Sequence, residues 1–267
     1  MTSPATPGAE PHRQRRIAES FGADAERYDR TRPRYPQALA DAVLAGFTTP
    51  RVLDVGIGTG LSALPFRAAG ADVTGLEVDD RMAELARAKG FPVDVGRFED
   101  WDPSGRVFDA VIAGQTWHWV DPVAGPEQAA RVLRPGGRIA LFWNAADPEP
   151  TIAAAFADVY RSVETGLPFT PFAQATSGSL PDQFLAPAES GLARTGAFDE
   201  PERLQLERTA TIDREAWLDQ VPTFGGHGLI PPDRLAELLA GLGDVVDAHG
   251  GTFTMRYTTL ATIAERI

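Results

Sequence analysis

The amino-acid sequence predicts an α/β protein built on a doubly wound sheet of seven mainly parallel strands. Two observations carry this prediction. Between residues 51 and 143, short apolar segments alternate with helical patterns, and strands separated by helices pair in parallel through right-handed crossovers. The first apolar segment runs directly into a loop with glycines at positions 56, 58 and 60, as in the first turn of a nucleotide-binding βα unit. The predicted fold is therefore Rossmann-like, with a helical N-terminal segment before the sheet and a cap insertion after it.

The composition indicates which part of the chain is disordered and which part folds into a domain. Residues 1–16 are rich in Pro, Ala, Gly and Thr and lack an apolar period, so we expect a disordered N-terminus. We expect residues 17–267 to form a single domain, since a chain of 267 residues is long enough for one full core. This domain begins with a helical lead-in over residues 17–50, where Pro33 and Pro36 force a turn between two helices.

The half of the sheet that would bind a ligand spans residues 51–144. The segment Leu133–Gly137 closes a helix and turns into the fifth strand, because Pro and two Gly residues stand together there. The periodic pattern predicts strands over 51–55, 72–76, 92–95, 107–113 and 138–143, and helices over 61–69, 81–88 and 125–133.

The pattern changes after residue 143. Residues 145–201 hold one helix and then a loop rich in Pro, Phe, Gly and Ser, which we interpret as a cap or lid over the sheet. Residues 202–267 supply the C-terminal strands and helices. The expected elements are a cap helix over 151–164, strands over 203–212 and 252–259 that complete the sheet as an antiparallel pair, and helices over 214–220 and 232–242.

Charge and composition exclude several classes of function. The net charge of −12 argues against a nucleic-acid-binding surface, which needs clustered Lys or Arg. No apolar run is long enough to span a membrane, and the first twenty residues lack the apolar core of a signal peptide, so we expect a cytoplasmic protein with no membrane partner. The absence of cysteine excludes disulfides, thiolate metal ligands and thiol nucleophiles. We expect a small-molecule ligand and no metal site.

The glycine loop indicates what kind of ligand the sheet binds. Gly56, Gly58 and Gly60 lack a Cβ atom and let a ligand approach the backbone closely. Their spacing differs from the dinucleotide pattern G-x-G-x-x-G, since Leu61 stands where that pattern needs glycine. Asp54, two residues before the first glycine, would repel a pyrophosphate and attract an ammonium group. The loop therefore predicts a nucleotide-like ligand with an amino-acid end.

Acidic and aromatic residues follow the second and third strands. Glu77 ends the second strand, where a carboxylate can accept hydrogen bonds from ribose hydroxyls. The alternative is a solvated acid at a strand end. Phe98, Glu99 and Asp100 follow the third strand and are placed to frame an adenine ring, with an acid near its exocyclic amine. The alternative for this group is a packed ring beside ordinary surface acids.

A histidine between two indoles follows the fourth strand. Trp117, His118 and Trp119 stand at the edge of the sheet where α/β proteins bind ligands. His118 is interpreted either as a general base or substrate hydrogen-bond partner, because its unperturbed pKa lies near neutrality, or as a residue that fixes the loop through a backbone carbonyl. The two tryptophans are more typical of packing than of chemistry.

These residues, in this order, resemble the class I S-adenosylmethionine-dependent methyltransferases, in particular the small-molecule branch with a general methyltransferase domain. Residues 54–60 resemble the glycine motif of that family, Glu77 its ribose-binding acid, and residues 115–119 a histidine-tryptophan signature of one subgroup. Arg97 departs from the pattern, since many relatives carry an aspartate there. Other matching positions are Val78 and Met82 as adenine-packing neighbours, Glu99 as the acid after the third strand, and 133–137 as the turn before the fifth strand. An N-terminal segment that folds over the cofactor is matched by Phe21, Tyr28, Arg32, Pro33, Tyr35 and Pro36.

The resemblance implies an enzyme that moves the methyl group of S-adenosylmethionine to a small acceptor by in-line displacement. Asp54 would face the methionine amino group, and Tyr28 or Arg32 would meet its carboxylate. His118 would deprotonate a hydroxyl acceptor, or no base is needed if the acceptor is a carboxylate or already ionised. The cofactor-binding residues implied are Tyr28, Arg32, Asp54, Gly56, Gly58, Gly60, Glu77, Val78, Met82, Phe98, Glu99 and Gln115.

The acceptor pocket is expected between the N-terminal segment, the histidine-tryptophan segment and the cap. Its aromatic side chains suit an apolar or aromatic acceptor, although the cap aromatics alternatively form the cap's own core. His227 stands in a glycine-rich loop, where we expect exposure to solvent. The residues expected to line the pocket are Tyr35, Trp117, Trp119, Phe169 and Phe172, with Phe156, Tyr160 and Phe184 as further cap aromatics.

Two other functions stay open on the same fold. A sensor or scaffold would bind the cofactor without turnover. A nicotinamide-dependent dehydrogenase fits less well, because it would need glycine at position 61 and no acid at position 54.

Overall fold

A computed structural model describes residue 22, residues 24–172 and residues 180–267, except for the side chains of residues 180–182. The predicted disordered segment 1–16 lies outside the described residues. The strands are β1 (Arg51–Val55), β2 (Asp72–Glu77), β3 (Val93–Val95), β4 (Phe108–Gly114), β5 (Leu133–Pro148), β6 (Glu202–Asp213) and β7 (Thr252–Glu265). The helices are α1 (Ala25–Thr31), α2 (Gln37–Val43), α3 (Ala63–Ala68), α4 (Asp80–Ala88), α5 (Ala124–Val132), α6 (Pro150–Ser162), α7 (Leu180–Thr195), α8 (Arg214–Gln220) and α9 (Pro232–Ala248).

The strands form one seven-stranded sheet in the order β3-β2-β1-β4-β5-β7-β6. β1 pairs in parallel with both neighbours, since Val52 lies opposite Val73 of β2 and opposite Ala110 of β4. The pairs β2 with β3 and β4 with β5 are also parallel. Four of the five residues of β1 are buried, as expected for a parallel strand that is covered on both faces. The predicted α/β fold with a seven-stranded, mainly parallel sheet is confirmed.

β7 runs against its neighbours. Hydrogen bonds join Gly136 to Arg266 and, further along β5, Asn144 to Thr259, so residue numbers rise along β5 as they fall along β7. A bridge between Phe198 and Arg266, just outside β6 and β7, is also antiparallel. The predicted antiparallel arrangement of the last two strands agrees with this geometry.

Strand β5 begins earlier than predicted. The pattern predicted a turn over Leu133–Gly137, whereas the structure includes these residues in the strand. The register shifts between the pair Phe108–Leu133 and the pair Ala110–Arg138. Because the pairing shifts here, the strand continues through Pro135, Gly136 and Gly137.

Helix α9 continues past its predicted end at residue 242. Gly243 is buried within the helix beside the guanidinium of Arg214. It does not end the helix, which continues to Ala248.

The chain forms two compact units. The larger unit comprises residues 33–144, 181–206 and 259–267, and the smaller unit comprises the described residues within 1–32, 145–180 and 207–258. The larger unit has a core around Leu39, Val52, Phe66, Ile112 and Phe142. The smaller unit has its own core around Ile152, Phe156, Trp217, Leu238 and Phe253. The single domain over 17–267, with its lead-in over 17–50 and its cap over 145–201, stays a prediction.

Within the described part of the chain, no helix is both long and apolar enough to cross a lipid bilayer.

Candidate functional site

The larger unit brings the predicted acid of β1 under the glycine loop. Asp54 is fully buried, and its Oδ2 atom accepts a hydrogen bond of 2.6 Å from the hydroxyl of Ser62. Among the described residues, no donor lies within hydrogen-bonding distance of its buried Oδ1 atom. Burial raises the pKa of Asp54 to about 7, and the charge of Glu77 adds to this rise while the Ser62 hydrogen bond opposes it. A buried carboxyl oxygen with no donor is a site for a cation or a donor from a ligand.

The glycine loop after β1 adopts a conformation that only glycine takes easily. Gly56 and Gly58 have φ angles of 69° and 56°, in the left-handed region. A Cβ atom on Gly56 would lie 2.2 Å from Cγ2 of Thr116, so the loop also packs tightly against the residue after β4. At Gly58, a Cβ atom would meet only the terminal methyl of Met82, at 3.5 Å. The loop is thus held closely at Gly56 and is more open at Gly58.

Glu77 connects the end of β2 to the glycine loop. Its Oε2 atom accepts a hydrogen bond of 2.8 Å from the backbone N–H of Gly58. Its Oε1 atom accepts hydrogen bonds from the N–H groups of Val78 and Asp79, at 2.8 and 3.0 Å. Burial raises the pKa of Glu77, and these backbone hydrogen bonds oppose the rise. Because a carboxylate offers about four acceptor positions, Glu77 keeps acceptor capacity for a ligand hydroxyl.

Two apolar residues follow Glu77 along the chain. The side chain of Val78 is 50% exposed at the surface, whereas Met82 is buried beneath Gly58. An exposed valine beside a buried carboxylate offers an apolar surface to a planar ring. Contact of Val78 and Met82 with adenine stays a prediction.

The residues after β3 form a short 3₁₀ helix over Phe98–Asp100. Phe98 is buried, with its ring centroid 6.0 Å from that of Trp117. Glu99 accepts a hydrogen bond of 2.9 Å from the backbone N–H of Asp121 and lies 3.4 Å from the guanidinium of Arg97. In this structure Glu99 therefore connects the segments after β3 and β4, and a role beside adenine stays a prediction.

The segment after β4 begins with a strained residue. Gln115 has a φ angle of 59°, which is unusual for a residue with a side chain. Its Nε2 atom donates to the carbonyl of Asn144 at 3.0 Å, and its buried Oε1 atom has no donor among the described residues. Gln115 thus supplies a second buried acceptor at the carboxyl edge of the sheet, directly after the strand next to that of Asp54.

His118 is held by an indole from β5. The Nε1–H group of Trp143 donates to Nδ1 of His118 at 3.3 Å. The imidazole ring centroid lies 4.7 Å from that of Trp119 and 6.4 Å from that of Phe184. The rings of Trp143 and Phe184 stack at 5.7 Å. Burial among these rings lowers the pKa of His118 to about 4, so the imidazole is neutral at physiological pH.

Tyr35 also lies in the larger unit. Its ring meets that of Phe142 edge-on at 4.8 Å, and its hydroxyl would be 3.0 Å from a Cβ atom on Gly114. The ring therefore packs on β4 and β5, and its role beside an acceptor stays a prediction.

The other predicted residues lie in the smaller unit. The guanidinium of Arg32 stands 4.7 Å above the ring of Tyr28 and 5.4 Å from that of Phe224, and it donates to the carbonyl of Thr223. Phe172 contacts the rings of core residues, among them Phe156 at 5.6 Å. Phe169 is half-buried. Phe172 therefore packs against the core of its own unit. The assignment of Phe169 and Phe172 to a pocket stays a prediction.

The expectation that His227 is exposed is wrong. His227 is only 1% exposed, and its Nε2 atom lies 2.8 Å from the hydroxyl of Tyr160. Its ring packs edge-on against that of Phe224. The glycines of this loop allow the tight turn that brings His227 into the core of the smaller unit.

Sequence reasoning missed three residues that hold the site. Ser62 binds Asp54, Thr116 lies within hydrogen-bonding distance of the Gly56 carbonyl at 3.2 Å, and Lys89 donates to the carbonyl of Thr59 at 2.7 Å. Ser62 and Thr116 carry no distinctive pattern. Lys89 had one signal, since it is the only lysine of the chain.

Parts of this sequence are similar to known proteins. A family model described as a methyltransferase domain matches residues 53–141. An uncharacterised methyltransferase of Mycobacterium tuberculosis is 39% identical over 137 residues, which cover 50% of this chain and 56% of that protein. The chain thus spans little more than half the length of that relative. A demethylmenaquinone methyltransferase of a Mycobacterium species is 32% identical over 196 residues, which cover 70% of this chain and 81% of that protein.

Solved structures share the fold. A structure described as a type II methyltransferase of Anaeromyxobacter dehalogenans has a TM-score of 0.62 at 22% identity and covers 88% of this chain and 97% of its own. A phosphoethanolamine N-methyltransferase of Haemonchus contortus, solved with phosphomonomethylethanolamine and S-adenosylhomocysteine, has a TM-score of 0.51 at 14% identity, over 95% of this chain and 58% of its own. At these identities the likeness concerns the fold alone.

Proposed function

Because the chain belongs to the class I S-adenosylmethionine-dependent methyltransferases, we propose that it moves the methyl group of S-adenosylmethionine to a small apolar or aromatic acceptor. The observation that carries this proposal is the buried Oδ1 atom of Asp54, which has no donor among the described residues. It lies under a glycine loop at the carboxyl edge of a parallel sheet, where such folds bind nucleotides.

The residues of the larger unit fit the cofactor. Its methionine ammonium group would donate to Oδ1 of Asp54, and the buried Oε1 atom of Gln115 offers a second acceptor. A ribose hydroxyl would use the remaining acceptor capacity of Glu77. Val78 and Met82 would lie beside the adenine ring. Phe98 and Glu99 would complete the adenine site.

The cofactor supplies a methyl group that is already activated for displacement by its bond to a sulfonium. The protein therefore has to bind and orient the two reactants and to exclude water from them. The tightly packed Gly56 and the strained Gln115 serve this purpose, because rigid groups hold a bound ligand in one geometry.

A small-molecule acceptor agrees with the relatives. One is named for its action on demethylmenaquinone, and one structural neighbour was solved with phosphomonomethylethanolamine. In this chain the rings of Trp119, Trp143 and Phe184 surround His118 at the carboxyl edge of the sheet. We propose that these rings line the acceptor site, together with Tyr35 and Trp117.

Two measurements test this function. Calorimetric titration with S-adenosylhomocysteine should give saturable binding, and titration with NAD should not. Incubation with methyl-labelled S-adenosylmethionine and a metabolite extract should give a labelled small molecule. Binding without any labelled product would favour the sensor or scaffold, and binding of NAD without binding of S-adenosylhomocysteine would favour the dehydrogenase.

Cofactor affinity is expected to depend on pH through Asp54. The carboxyl group has its pKa raised to about 7, so below that pH it is protonated and loses the charge that would hold an ammonium group. The affinity for S-adenosylhomocysteine should fall by up to about tenfold for each pH unit below about 7 and level off above it. Titration calorimetry from about pH 5.5 to about pH 8 measures this. A flat profile in the parent protein would contradict the assignment.

Lys89 is expected to support cofactor binding through the glycine loop. Replacing it with methionine removes the ammonium donor to Thr59 and keeps an apolar stem of similar length. The loss of this charge-assisted hydrogen bond should lower the free energy of unfolding by about 1.5–3 kcal/mol. A less ordered glycine loop should also weaken the binding of S-adenosylhomocysteine several-fold. Lys89→Arg keeps a cationic donor and is the matched control. Equal affinity in the methionine and arginine variants would show that the contact does not shape the loop.

A further inference from the structure

We infer that His118 is a neutral hydrogen-bond donor, and that the acceptor is a planar organic anion whose carboxylate is the nucleophile. This inference rests on the proposed function and narrows its acceptor. In this inference His118 donates a hydrogen bond to the acceptor and does not remove a proton from it as a general base would.

The hydrogen bond from Trp143 fixes the tautomer of His118. An indole nitrogen is a donor only, so the hydrogen bond from Trp143 requires that Nδ1 carries no proton. The neutral imidazole then carries its single proton on Nε2. A base at Nε2 would need its proton on Nδ1, where it would point at the indole hydrogen. The Trp143 contact therefore makes Nε2 a donor.

Aromatic rings surround the imidazole of His118. His118 is half-buried, and within the described residues it has one hydrogen bond, that from Trp143. The rings of Trp119 and Phe184 lie 4.7 and 6.4 Å from the imidazole, centroid to centroid. Burial, which lowers the pKa of His118 to about 4, agrees with a ring that stays neutral. One N–H donor between aromatic rings suits a flat ligand that carries an oxygen acceptor.

The protonation state of His118 limits which acceptors can react. Without a base at His118, the nucleophile has to react without losing a proton first, as a carboxylate or a neutral amine does. The donor at Nε2 favours the carboxylate, because an amine that attacks through its only lone pair offers no acceptor to Nε2. A carboxylic acid has an ordinary pKa near 4 and is ionised at neutral pH, whereas a phenol, with a pKa near 10, is not. One carboxylate oxygen would accept the hydrogen bond from Nε2. The other would form the new bond to the methyl carbon as the bond between that carbon and sulfur breaks, with the electrons of the broken bond staying on sulfur. No proton moves in this step, and the product is a methyl ester.

Binding of a planar anion to the protein with bound S-adenosylhomocysteine tests the inference. The probe is 2-naphthoate, and methyl 2-naphthoate is the uncharged control. We expect 2-naphthoate to bind at least about tenfold more tightly than its ester, and His118→Ala to weaken its binding about tenfold. His118→Gln should keep most of the affinity, because the side-chain amide donates a hydrogen bond but cannot act as a base. The affinity for S-adenosylhomocysteine should be the same in all three proteins.

The outcomes separate the two proposals. If the parent protein does not bind S-adenosylhomocysteine, the proposed function is wrong. If it binds S-adenosylhomocysteine but not 2-naphthoate, or if His118→Gln is as weak as His118→Ala, the present inference is wrong.

A second measurement needs no ligand and no variant of His118. Nitrogen-15 labelling of the four histidines, with Trp143→Phe to assign the signal, reports which ring nitrogen carries the proton. The inference requires a neutral His118 with its proton on Nε2 from about pH 5.5 to about pH 8, and a mixture of tautomers after Trp143→Phe. A proton on Nδ1 in the parent protein would overturn it.

Discussion

Replacing Asp54 with asparagine is expected to weaken the binding of S-adenosylhomocysteine on the order of 100-fold, since removing one partner of a buried charge pair costs about 2–5 kcal/mol. The substitution keeps the shape of the side chain and its reach to Ser62. It removes the charge and the unsatisfied oxygen that the ligand ammonium would use. Asp72→Asn is the matched control, because Asp72 is an exposed acid at the opposite end of a neighbouring strand. An equal loss of affinity in the two variants would show that Asp54 does not bind the ligand ammonium group.

Relative to the parent protein, Asp54→Asn is expected to become more stable as the pH rises. A carboxyl group whose pKa is raised from 3.8 to about 7 stabilises the folded protein at low pH and loses that contribution as the pH approaches 7. Between about pH 5 and pH 8, the free energy of unfolding should shift by about 3 kcal/mol in favour of Asp54→Asn. Urea unfolding of parent and variant at the two pH values measures the shift. A variant that loses both affinity and stability at pH 8 would indicate general damage to the fold.

Gly56→Ala is expected to give the largest loss of stability, about 2–5 kcal/mol, with loss of cofactor binding. A left-handed residue with a Cβ atom costs about 1–2 kcal/mol, and overpacking costs about 1–3 kcal/mol more. The added Cβ atom would lie 2.2 Å from Cγ2 and 2.6 Å from Oγ1 of Thr116. Urea unfolding and titration with S-adenosylhomocysteine measure both effects.

Gly46→Ala provides the control for backbone strain alone. Gly46 has a φ angle of 86°, and a Cβ atom there would meet nothing within 4 Å. Gly46→Ala should therefore lower the free energy of unfolding by about 1 kcal/mol. The double variant Gly56→Ala with Thr116→Gly should recover part of the stability, because the clashing side chain is gone. The same loss in Gly56→Ala and Gly46→Ala would show that packing against Thr116 is unimportant.

The sequence predicted the sheet well where local patterns decide the structure. β1 was predicted at its observed bounds, because a short apolar run meets a glycine that ends it. The positions of Asp54 and Glu77 followed from topology, since parallel strands place their carboxyl ends at one edge of the sheet. The start of β5 was missed because Pro and Gly usually end regular structure, whereas here a register shift accommodates them.

Contacts between distant parts of the chain were beyond sequence reasoning. The burial of His227 depends on Tyr160, which is 67 residues away, and the tautomer of His118 depends on Trp143, 25 residues away. Lys89 reaches the glycine loop across 30 residues. A local pattern identifies a loop or a charged residue, but it does not identify the partner that the fold brings to it.

The most direct test of the central claim is a double-mutant cycle on the methionine ammonium. S-Adenosylhomocysteine and its analogue without the amino group would be titrated into the parent protein and into Asp54→Asn. If Asp54 holds the ammonium, the parent should prefer the complete ligand on the order of 100-fold, and the variant should bind both ligands with similar weak affinity. If the variant still prefers the complete ligand by the same factor as the parent, Asp54 does not bind the amino group, and the proposed cofactor site is wrong.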